Sequence, residues 1–182
     1  KGIGLIGSGD FTHPGWRQML REQMVPSEDG LYTLREELRP TDPGGPRECR
    51  TPRFVVSGEI SSIYKQGERV RKVHSLILLP SLEAADRLSA RLEAIGNLHS
   101  DGRPILGLSA HDLLEITLDV CPQAVYIPAH IWTPHFSLFG AFSGFDSIEE
   151  CYGDLASEIH ALETGLSSDP PMNWRLSALD RF

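Results

Sequence analysis

The chain has 182 residues, 40% of them hydrophobic, which fits one domain with a sizeable core. Its 17 lysines and arginines against 25 acidic residues give a formal net charge of −8, so general electrostatic attraction to nucleic acid is not expected. The three cysteines lack a CxxC pair, which argues against a disulfide framework, and no apolar run reaches the roughly 18 residues of a membrane helix. We therefore expect a cytoplasmic protein that does not contact a membrane.

The first part of the chain predicts strands on either side of a helix. Residues 2–6 are an apolar run typical of a short buried strand, and a helix is predicted to begin near Pro14. Residues 40–52 hold four prolines and two glycines, which predicts a loop insertion. Residues 53–64 and 70–79 are rich in β-branched and apolar side chains and predict two adjacent strands.

The second part continues the alternation. Capping patterns predict four helices, beginning after Ser81, Ser109, Ser147 and Asp169. Strands are predicted at residues 124–128 and 159–163. Strands that alternate with helices favour parallel β/α packing, either as an open sheet or as a barrel. In both architectures ligands gather at the carboxyl ends of the strands.

Acidic and histidine side chains lie in or directly after four of the five predicted strands. They are Asp10, His13, Glu59, His74 and His130. Imidazole and carboxylate ligands suit Zn²⁺, Mn²⁺ or Fe, so convergence of these side chains would form a metal site. Each also has a structural explanation: Asp10 could cap a helix, Glu59 could pair with a neighbouring cation, and His74 could be a satisfied core residue.

Two other histidines and a group of cations are further candidates for a functional role. His135 lies near His130 in the sequence and could reach the same site, whereas His111 lies in the first turn of a helix and is expected to be exposed and neutral. The cations that could contact a phosphate are Lys65, Arg69, Arg71, Lys72 and Arg103. A solvated hairpin tip would explain the first four equally well.

Aromatic residues recur every three or four positions in the stretch that follows His130. Core packing is the default interpretation of this spacing. The glycines, prolines and serines among them also allow a shaped loop in which one or two rings stack on a base, and Trp132 is the candidate for a base pocket.

Several stretches together resemble the endonuclease Q family, DNA-repair nucleases built on a PHP (polymerase and histidinol phosphatase) domain. They are GDFTHP, GEISSIYKQGERVRKVHSLIL, GNLHSDGRPILGL, IPAHIWTPHFSLFG, SGFDSIEECYGD and ALETGLSSDPPMNWRLSALD. The resemblance implies a distorted (β/α)7 barrel that holds two or three divalent metal ions, Zn²⁺ first and Mn²⁺ or Mg²⁺ as alternatives. The matching ligand positions are His13, Glu59, His74 and His130, with Asp10 as a neighbour.

The sequence also departs from this family. PHP domains begin with a His-x-His strand and close with an Asp-x-His strand, and neither motif is present. We therefore expect residues 1–182 to be a partial PHP barrel that lacks its first and last metal-binding strands. Such a fragment would bind at most a partial set of metals and would be inactive or nearly so.

The resemblance implies hydrolysis of the phosphodiester 5′ to a deaminated base, such as uracil or hypoxanthine, or to an abasic site. DNA that carries these lesions would be the partner, and a sliding clamp is a further partner implied only by the family. Asp10 and Glu59 are the candidate catalytic residues. The alternatives are a PHP phosphoesterase acting on a small phosphorylated metabolite and a non-catalytic PHP-like binding domain.

Overall fold

A computed structural model of the chain describes residues 3–39, 51–100, 102–165 and 170–182. The strands are β1 (Leu5–Gly7), β2 (Met24–Pro26), β3 (Tyr32–Leu34), β4 (Arg53–Gln66), β5 (Arg69–Leu79), β6 (Ile105–Leu106) and β7 (Val125–Pro128). The α-helices are α1 (Pro14–Gln23), α2 (Leu82–Glu93), α3 (Ala110–Val120), α4 (Ile148–Tyr152) and α5 (Pro170–Asn173). Single 3-10 segments span Glu36–Leu38, Gly153–Glu158 and Ser177–Leu179.

The long strand β4 organises the sheet, because four other strands pair with it. Along one edge it pairs in parallel first with β1 and then with β6, and along the other it pairs antiparallel with β3 and then β5. Strand β7 adds to β5, and β2 adds to β3, both antiparallel. The result is a mixed α/β fold with a largely antiparallel seven-stranded sheet.

The expectation of parallel packing is wrong for most strand pairs. In the described residues only β1 and β6 run parallel to their neighbour. Strands β4 and β5 are joined by a two-residue turn, in which Gly67 adopts a φ of 61°. A connection this short can join only antiparallel neighbours, so the hairpin fixes the direction of the central pair.

The two faces of the β4–β5 hairpin differ in chemistry because side chains alternate along each strand. One face carries Ile60 and Ile77, which lie in the hydrophobic core with residues of α2 and α3. The other face carries Glu59 and His74: His74 lies opposite Ser61, and Glu59 is two residues before Ser61. The packed face thus stabilises the hairpin and leaves the opposite face for polar groups.

The helix predictions are confirmed at Pro14 and at the three serine caps. The hydroxyls of Ser81, Ser109 and Ser147 accept hydrogen bonds from the backbone N–H three residues on, at 3.0–3.1 Å. Asp169 and residues 40–50 of the expected loop insertion lie outside the described residues. Among the helices that the structure describes, none has the length and apolarity needed to cross a membrane.

Two strand predictions need correction. The first strand is not buried: β1 pairs with β4 but leaves Leu5 56% exposed. Residues 159–163 are not a strand, although Glu163 makes two backbone hydrogen bonds beside β7, to Pro128 and from Ile131. Those bonds are too few for a ladder, but they place Glu163 next to His130.

Candidate metal centre

Three predicted ligands converge on the polar face of the hairpin. The Nδ1 atom of His74 lies 3.0 Å from Oε1 of Glu59 and 3.1 Å from Nε2 of His130. The third distance, from His130 Nε2 to Glu59 Oε1, is 3.3 Å. The strand register brings Glu59 and His74 together, and β7 delivers His130 from the next strand over.

His130 lies just after β7, where an unusual backbone conformation directs its side chain. Its φ is 33°, in the left-handed region that non-glycine residues rarely adopt. The Glu163 carboxylate fixes this conformation by accepting a 2.7 Å hydrogen bond from the backbone N–H of His130. A residue keeps such a strained conformation only where contacts with its surroundings stabilise it. Strained residues of this kind are typical of functional sites.

Thr133 contacts the ring nitrogen of His130 that faces away from the cluster. Its hydroxyl lies 2.9 Å from Nδ1 of His130, 2.8 Å from the His135 carbonyl and 3.2 Å from the His130 carbonyl. When the hydroxyl donates to a carbonyl it accepts from the Nδ1–H of His130, and that tautomer leaves a lone pair on Nε2 facing the cluster.

Arg103 supplies positive charge to this cluster. Its Nη1 atom lies 2.6 Å from His74 Nδ1 and 3.1 Å from Glu59 Oε1. The same Nη1 atom lies 3.3 Å from Nε2 of His74, so the guanidinium lies against the side of the imidazole ring. One carboxylate oxygen and two imidazole nitrogens thus lie within 3.3 Å of one another, in contact with the Arg103 guanidinium.

The protonation states suit metal ligands. Burial alone would raise the pKa of Glu59, but its contact with His74 and the charge of Arg103 outweigh burial and hold the pKa below the ordinary value. Burial lowers the pKa of His74, and the charge of Arg103 adds to that effect against the opposing contact with Glu59. An ionised carboxylate and a neutral imidazole are the forms that bind a divalent ion.

The spacing of the three atoms fits a divalent ion. Ligands about 2.1 Å from a zinc ion in tetrahedral geometry lie about 3.4 Å apart, and octahedral neighbours lie about 3.0 Å apart. The observed separations of 3.0–3.3 Å fall between these values. Two imidazoles and one carboxylate form the ligand set of several catalytic zinc sites, with a position left for water.

His13 and Asp10 do not join the three ligand atoms of this cluster. The Nδ1 atom of His13 accepts a 3.3 Å hydrogen bond from the Trp16 N–H and so caps α1. Both residues line a cavity of about 320 Å³ that also includes Gly102, the neighbour of Arg103 in the sequence. A role of His13 and Asp10 in the site stays a prediction.

The loop that carries Asp10 is tied to β4 just before Glu59. Phe11 donates its backbone N–H to the Ser57 carbonyl at 3.2 Å, and Gly9 donates to the Ser57 hydroxyl at 3.0 Å. A Cβ atom on Gly58 would lie only 2.7 Å from the ring of Phe11, which is fully buried. Gly58 is thus required for the close approach of this loop to the strand that positions Glu59.

The strained residues of the chain gather around the same place. Among the described non-glycine residues, those with positive φ are Asp10, His130 and Phe136. The Phe136 ring lies 4.7 Å from the His74 ring, and the Phe136 carbonyl accepts the His74 backbone N–H at 3.1 Å. Backbone strain of this kind clusters at binding and catalytic sites, which supports a functional role for this face.

The basic cluster of the hairpin divides between the two faces. Lys72 lies on the face of His74, with its Nζ 5.2 Å from the Phe136 ring centroid. Lys65 shares that face, but it lies six residues from Glu59, about 20 Å along the strand. Arg69 is exposed on the opposite face at the hairpin end.

Arg71 is placed differently from the expectation of phosphate contact. It is 5% exposed, forms a 2.5 Å ion pair with Glu150, and stacks 4.1 Å over the ring of Phe145. It also donates to the carbonyl of Gly144. These contacts fix the loop before α4, so Arg71 is a structural residue that is not presented to solvent.

The aromatic candidates have mainly packing roles. The Trp132 indole N–H donates to Asn173 at 2.7 Å, and its ring packs on Phe139 with centroids 5.2 Å apart. His135 does not reach the three-ligand cluster. It stacks on Phe142, whose ring is 74% exposed, at 4.7 Å.

A second group of possible ligands is His111, Asp112 and Glu115, on the first turns of α3. The sequence predicts that His111 is exposed and neutral, but the residue is only partly exposed and contacts two carboxylates. Its ring nitrogens lie 3.0 Å from the Asp154 carboxylate and 3.3 Å from that of Asp112, and the Asp154 contact is the main cause of its raised pKa. These contacts favour the protonated form of His111 and account for this group without a metal ion.

Three residues of the site were not identified from the sequence: Thr133, Phe136 and Glu163. Thr133 follows His130 by three residues, a spacing from which a contact could have been proposed. Glu163 lay in a segment interpreted as a strand, and nothing in its local sequence indicates that it binds the His130 backbone. The packing of Phe136 against His74 depends on the left-handed backbone conformation of Phe136, which no sequence pattern predicts.

Sequence comparison finds one relative that covers the whole chain and another that covers about three quarters of it. No protein-family model matches the sequence. The uncharacterized protein YqxK of Bacillus subtilis is 30% identical over 191 residues, which cover 100% of this chain and 43% of YqxK. The uncharacterized protein MJ0043 of Methanocaldococcus jannaschii is 28% identical over 135 residues, which cover 74% of this chain and 13% of that protein. The chain thus spans less than half the length of these curated relatives.

Structural comparison gives a more specific result. A crystal structure of endonuclease Q in complex with a 27-mer duplex substrate, with an abasic lesion at the active site, superposes with a TM-score of 0.72 and 27% identity. The match covers 98% of this chain and 38% of that one. The lesion-specific endonuclease PfuEndoQ from Pyrococcus furiosus matches with a TM-score of 0.70 and 28% identity, over 94% of this chain and 36% of its own. The described residues therefore have an endonuclease Q-like fold.

Proposed function

We propose that this chain forms the metal-binding part of a DNA-repair endonuclease that hydrolyses the phosphodiester 5′ to deaminated bases or abasic sites. The observation that carries this proposal is the convergence of Glu59, His74 and His130 as three candidate ligand atoms on one face of an endonuclease Q-like fold. DNA as the substrate is supported by the solved endonuclease Q complex, which holds a duplex with an abasic lesion. The chain spans 38% of that protein, so the activity is proposed for the whole protein.

The finer fold assignment belongs to the same proposal. We infer that the largely antiparallel sheet is part of a PHP-type distorted barrel and that residues 1–182 are an incomplete domain of this type. The position of the ligands, with Glu59 and His74 in neighbouring strands and His130 two residues after the next strand of the sheet, supports this inference. Zn²⁺ is the first candidate ion because the ligands are two imidazoles and one carboxylate, and Mn²⁺ or Mg²⁺ are alternatives.

The roles of the residues follow from their contacts. A divalent ion bound here would supply a water of lowered pKa and offset negative charge on the scissile phosphate. Glu59, His74 and His130 would hold that ion, and Thr133 would keep the His130 lone pair directed at it. Asp10, His13 and Trp132 remain proposed members of the site, as proton carrier, further ligand and base contact.

Cations on the same face would contact the DNA backbone. Arg103 at the cluster and Lys72 beside Phe136 are closest to the three ligands, and Lys65 lies further along the hairpin. The net charge of the chain is −8, and an acidic protein needs a local group of cations to bind DNA. These side chains would form such a group. A flipped nucleotide would be least costly to extrude where its pairing is already weak, as at a lesion.

The test is a nicking assay with the protein at the full length encoded by its gene. End-labelled duplexes carry one deoxyuridine, one hypoxanthine, one abasic site or no lesion, and the chelator-stripped protein receives Zn²⁺, Mn²⁺ or Mg²⁺. We expect metal-dependent nicks immediately 5′ to the lesion and none in the intact duplex. The variant Glu59→Gln should abolish cleavage, whereas Glu68→Gln, at the exposed hairpin turn, should cleave normally.

Three outcomes would contradict the proposal. Metal-dependent release of phosphate from small esters without DNA cleavage would indicate a metabolite phosphoesterase. Full-length protein that contains no stoichiometric metal and binds DNA without cutting it would indicate a binding domain. Efficient cleavage by residues 1–182 alone would contradict the expectation that this segment lacks part of its ligand set.

A further inference from the structure

Arg103 occupies an unusual place for a residue expected to contact a phosphate. Its Nη1 atom donates toward both His74 Nδ1, at 2.6 Å, and Glu59 Oε1, at 3.1 Å. These are two of the three atoms that would bind the metal ion. The guanidinium therefore lies where a metal ion would have to bind.

The guanidinium and a metal ion cannot both use these atoms. A metal ion bound to His74 Nδ1 and Glu59 Oε1 would lie about 2 Å from each atom, and the Arg103 Nη1 atom already lies 2.6 Å and 3.1 Å from the same two atoms. Two cations held within about 3 Å of each other would also repel strongly in a half-buried site. Binding of a metal ion to Glu59 and His74 thus requires Arg103 to leave.

The surroundings of Arg103 allow its side chain to leave while its backbone stays. On one side the carbonyl of Pro104 accepts a 2.9 Å hydrogen bond from the Ser61 N–H, which fixes the chain to β4. On the other side Gly102 adopts a φ of 80° and is exposed. The Arg103 side chain itself is 40% exposed, so a rotation about its own bonds moves the guanidinium toward solvent.

We propose that Arg103 is a positioning residue that holds the cation position until a metal ion displaces it, and that the released guanidinium then contacts the substrate phosphate. The second half of this statement rests on the proposed nuclease function, and the first half does not. The Arg103 side chain would thereby keep the ligands together before the metal ion binds. Binding of the metal ion would then release the guanidinium toward the substrate.

The first test measures metal affinity, without any activity. Zn²⁺ or Mn²⁺ is titrated calorimetrically into chelator-stripped wild-type protein and into Arg103→Met, which has a similar length and no charge. If the guanidinium fills the site about 90% of the time, its removal tightens the apparent Kd about tenfold. Arg103→Lys should give an intermediate affinity, and Arg91→Met, on the exposed surface of α2, should match wild type.

Thermal unfolding gives a second and independent measurement. Without metal, Arg103→Met should unfold at a lower temperature than wild type, because Glu59 and His74 lose the guanidinium that contacts them. With saturating metal the two proteins should converge, since both then have an ion among the ligands. The metal-induced rise in Tm is accordingly larger for the variant.

The outcomes separate this inference from the proposed function. An unchanged or weaker metal affinity in Arg103→Met would overturn the displacement and leave the nuclease proposal intact. Failure of both proteins to bind any of these metals would overturn the metal site and the proposed function together. Tighter metal binding combined with weaker binding of lesion DNA would support both halves, because a merely structural role would not move the two affinities in opposite directions.

Discussion

Removal of the Thr133 hydroxyl tests whether the protonation of His130 is set by its neighbour. In Thr133→Val the His130 Nδ1 atom loses the oxygen that lies 2.9 Å away, and the shape of the side chain is kept. The neutral ring can then move its proton to Nε2, where it faces the Glu59 carboxylate 3.3 Å away. A metal ion would have to displace that proton before it could bind.

The expected loss can be estimated from this change of tautomer. Removal of a hydrogen bond that orients a ligating histidine costs about 10- to 100-fold in metal affinity, or about 1.4–2.7 kcal/mol. Only one of three ligands is affected, so binding is weakened and not abolished. Thr133→Ser keeps the hydroxyl and should bind metal like wild type.

Calorimetric titration with Zn²⁺ or Mn²⁺ measures the affinity, and ¹⁵N chemical shifts of the His130 ring report its tautomer. Thr117→Val is the matched control, because the Thr117 hydroxyl is also buried and donates at 2.7 Å to a carbonyl, within α3. It should lose stability without losing metal affinity. A Thr133→Val protein that binds metal within about twofold of wild type would refute the reasoning, as would an equal loss in Thr117→Val.

Three further predictions concern stability. Gly58→Ala places a methyl group 2.7 Å from the buried Phe11 ring and should lower the free energy of unfolding by about 1–3 kcal/mol in denaturant titration, and an unchanged midpoint would contradict that contact. Because folding raises the pKa of His111, its ion pairs contribute fully to the stability of the protein below the unfolded pKa of about 6.5. This contribution is lost as the pH rises through the folded pKa. The difference in Tm between wild type and His111→Asn should thus be larger near pH 5.5 than near pH 9, and an equal difference would show that folding does not raise the pKa of His111. Arg71→Met breaks the pair between the buried Arg71 and the partly exposed Glu150 and should destabilise by about 1–3 kcal/mol while metal affinity is retained, whereas lost metal affinity in a folded variant would give Arg71 a role in the site.

The helices could be predicted because their signals are local. Ser81, Ser109 and Ser147 each cap a helix through a hydroxyl that accepts from the N–H three residues on, a contact within one turn. The β4–β5 hairpin was likewise marked by two apolar runs around a glycine turn. Strand direction elsewhere was not predictable, because alternation of strands and helices does not determine which strands pair.

The metal ligands were predicted from residue type and from their position in or after strands, and the structure brings three of them together. The face on which each cation lies could not be predicted, because it depends on strand register. Lys72 and Arg71 are adjacent in sequence, yet one shares the face of His74 and the other pairs with Glu150. A shift of one residue in the pairing would have exchanged their roles.

The left-handed backbone of His130 also limits how the thermal stability of this protein can be increased. A non-glycine residue in such a conformation costs on the order of 1–3 kcal/mol, so glycine at position 130 would relieve strain while removing a ligand. Asp10 and Phe136 share this property. Selection for thermal stability alone would accordingly favour substitutions that erase the site, and stabilised variants should be screened for metal binding at every round.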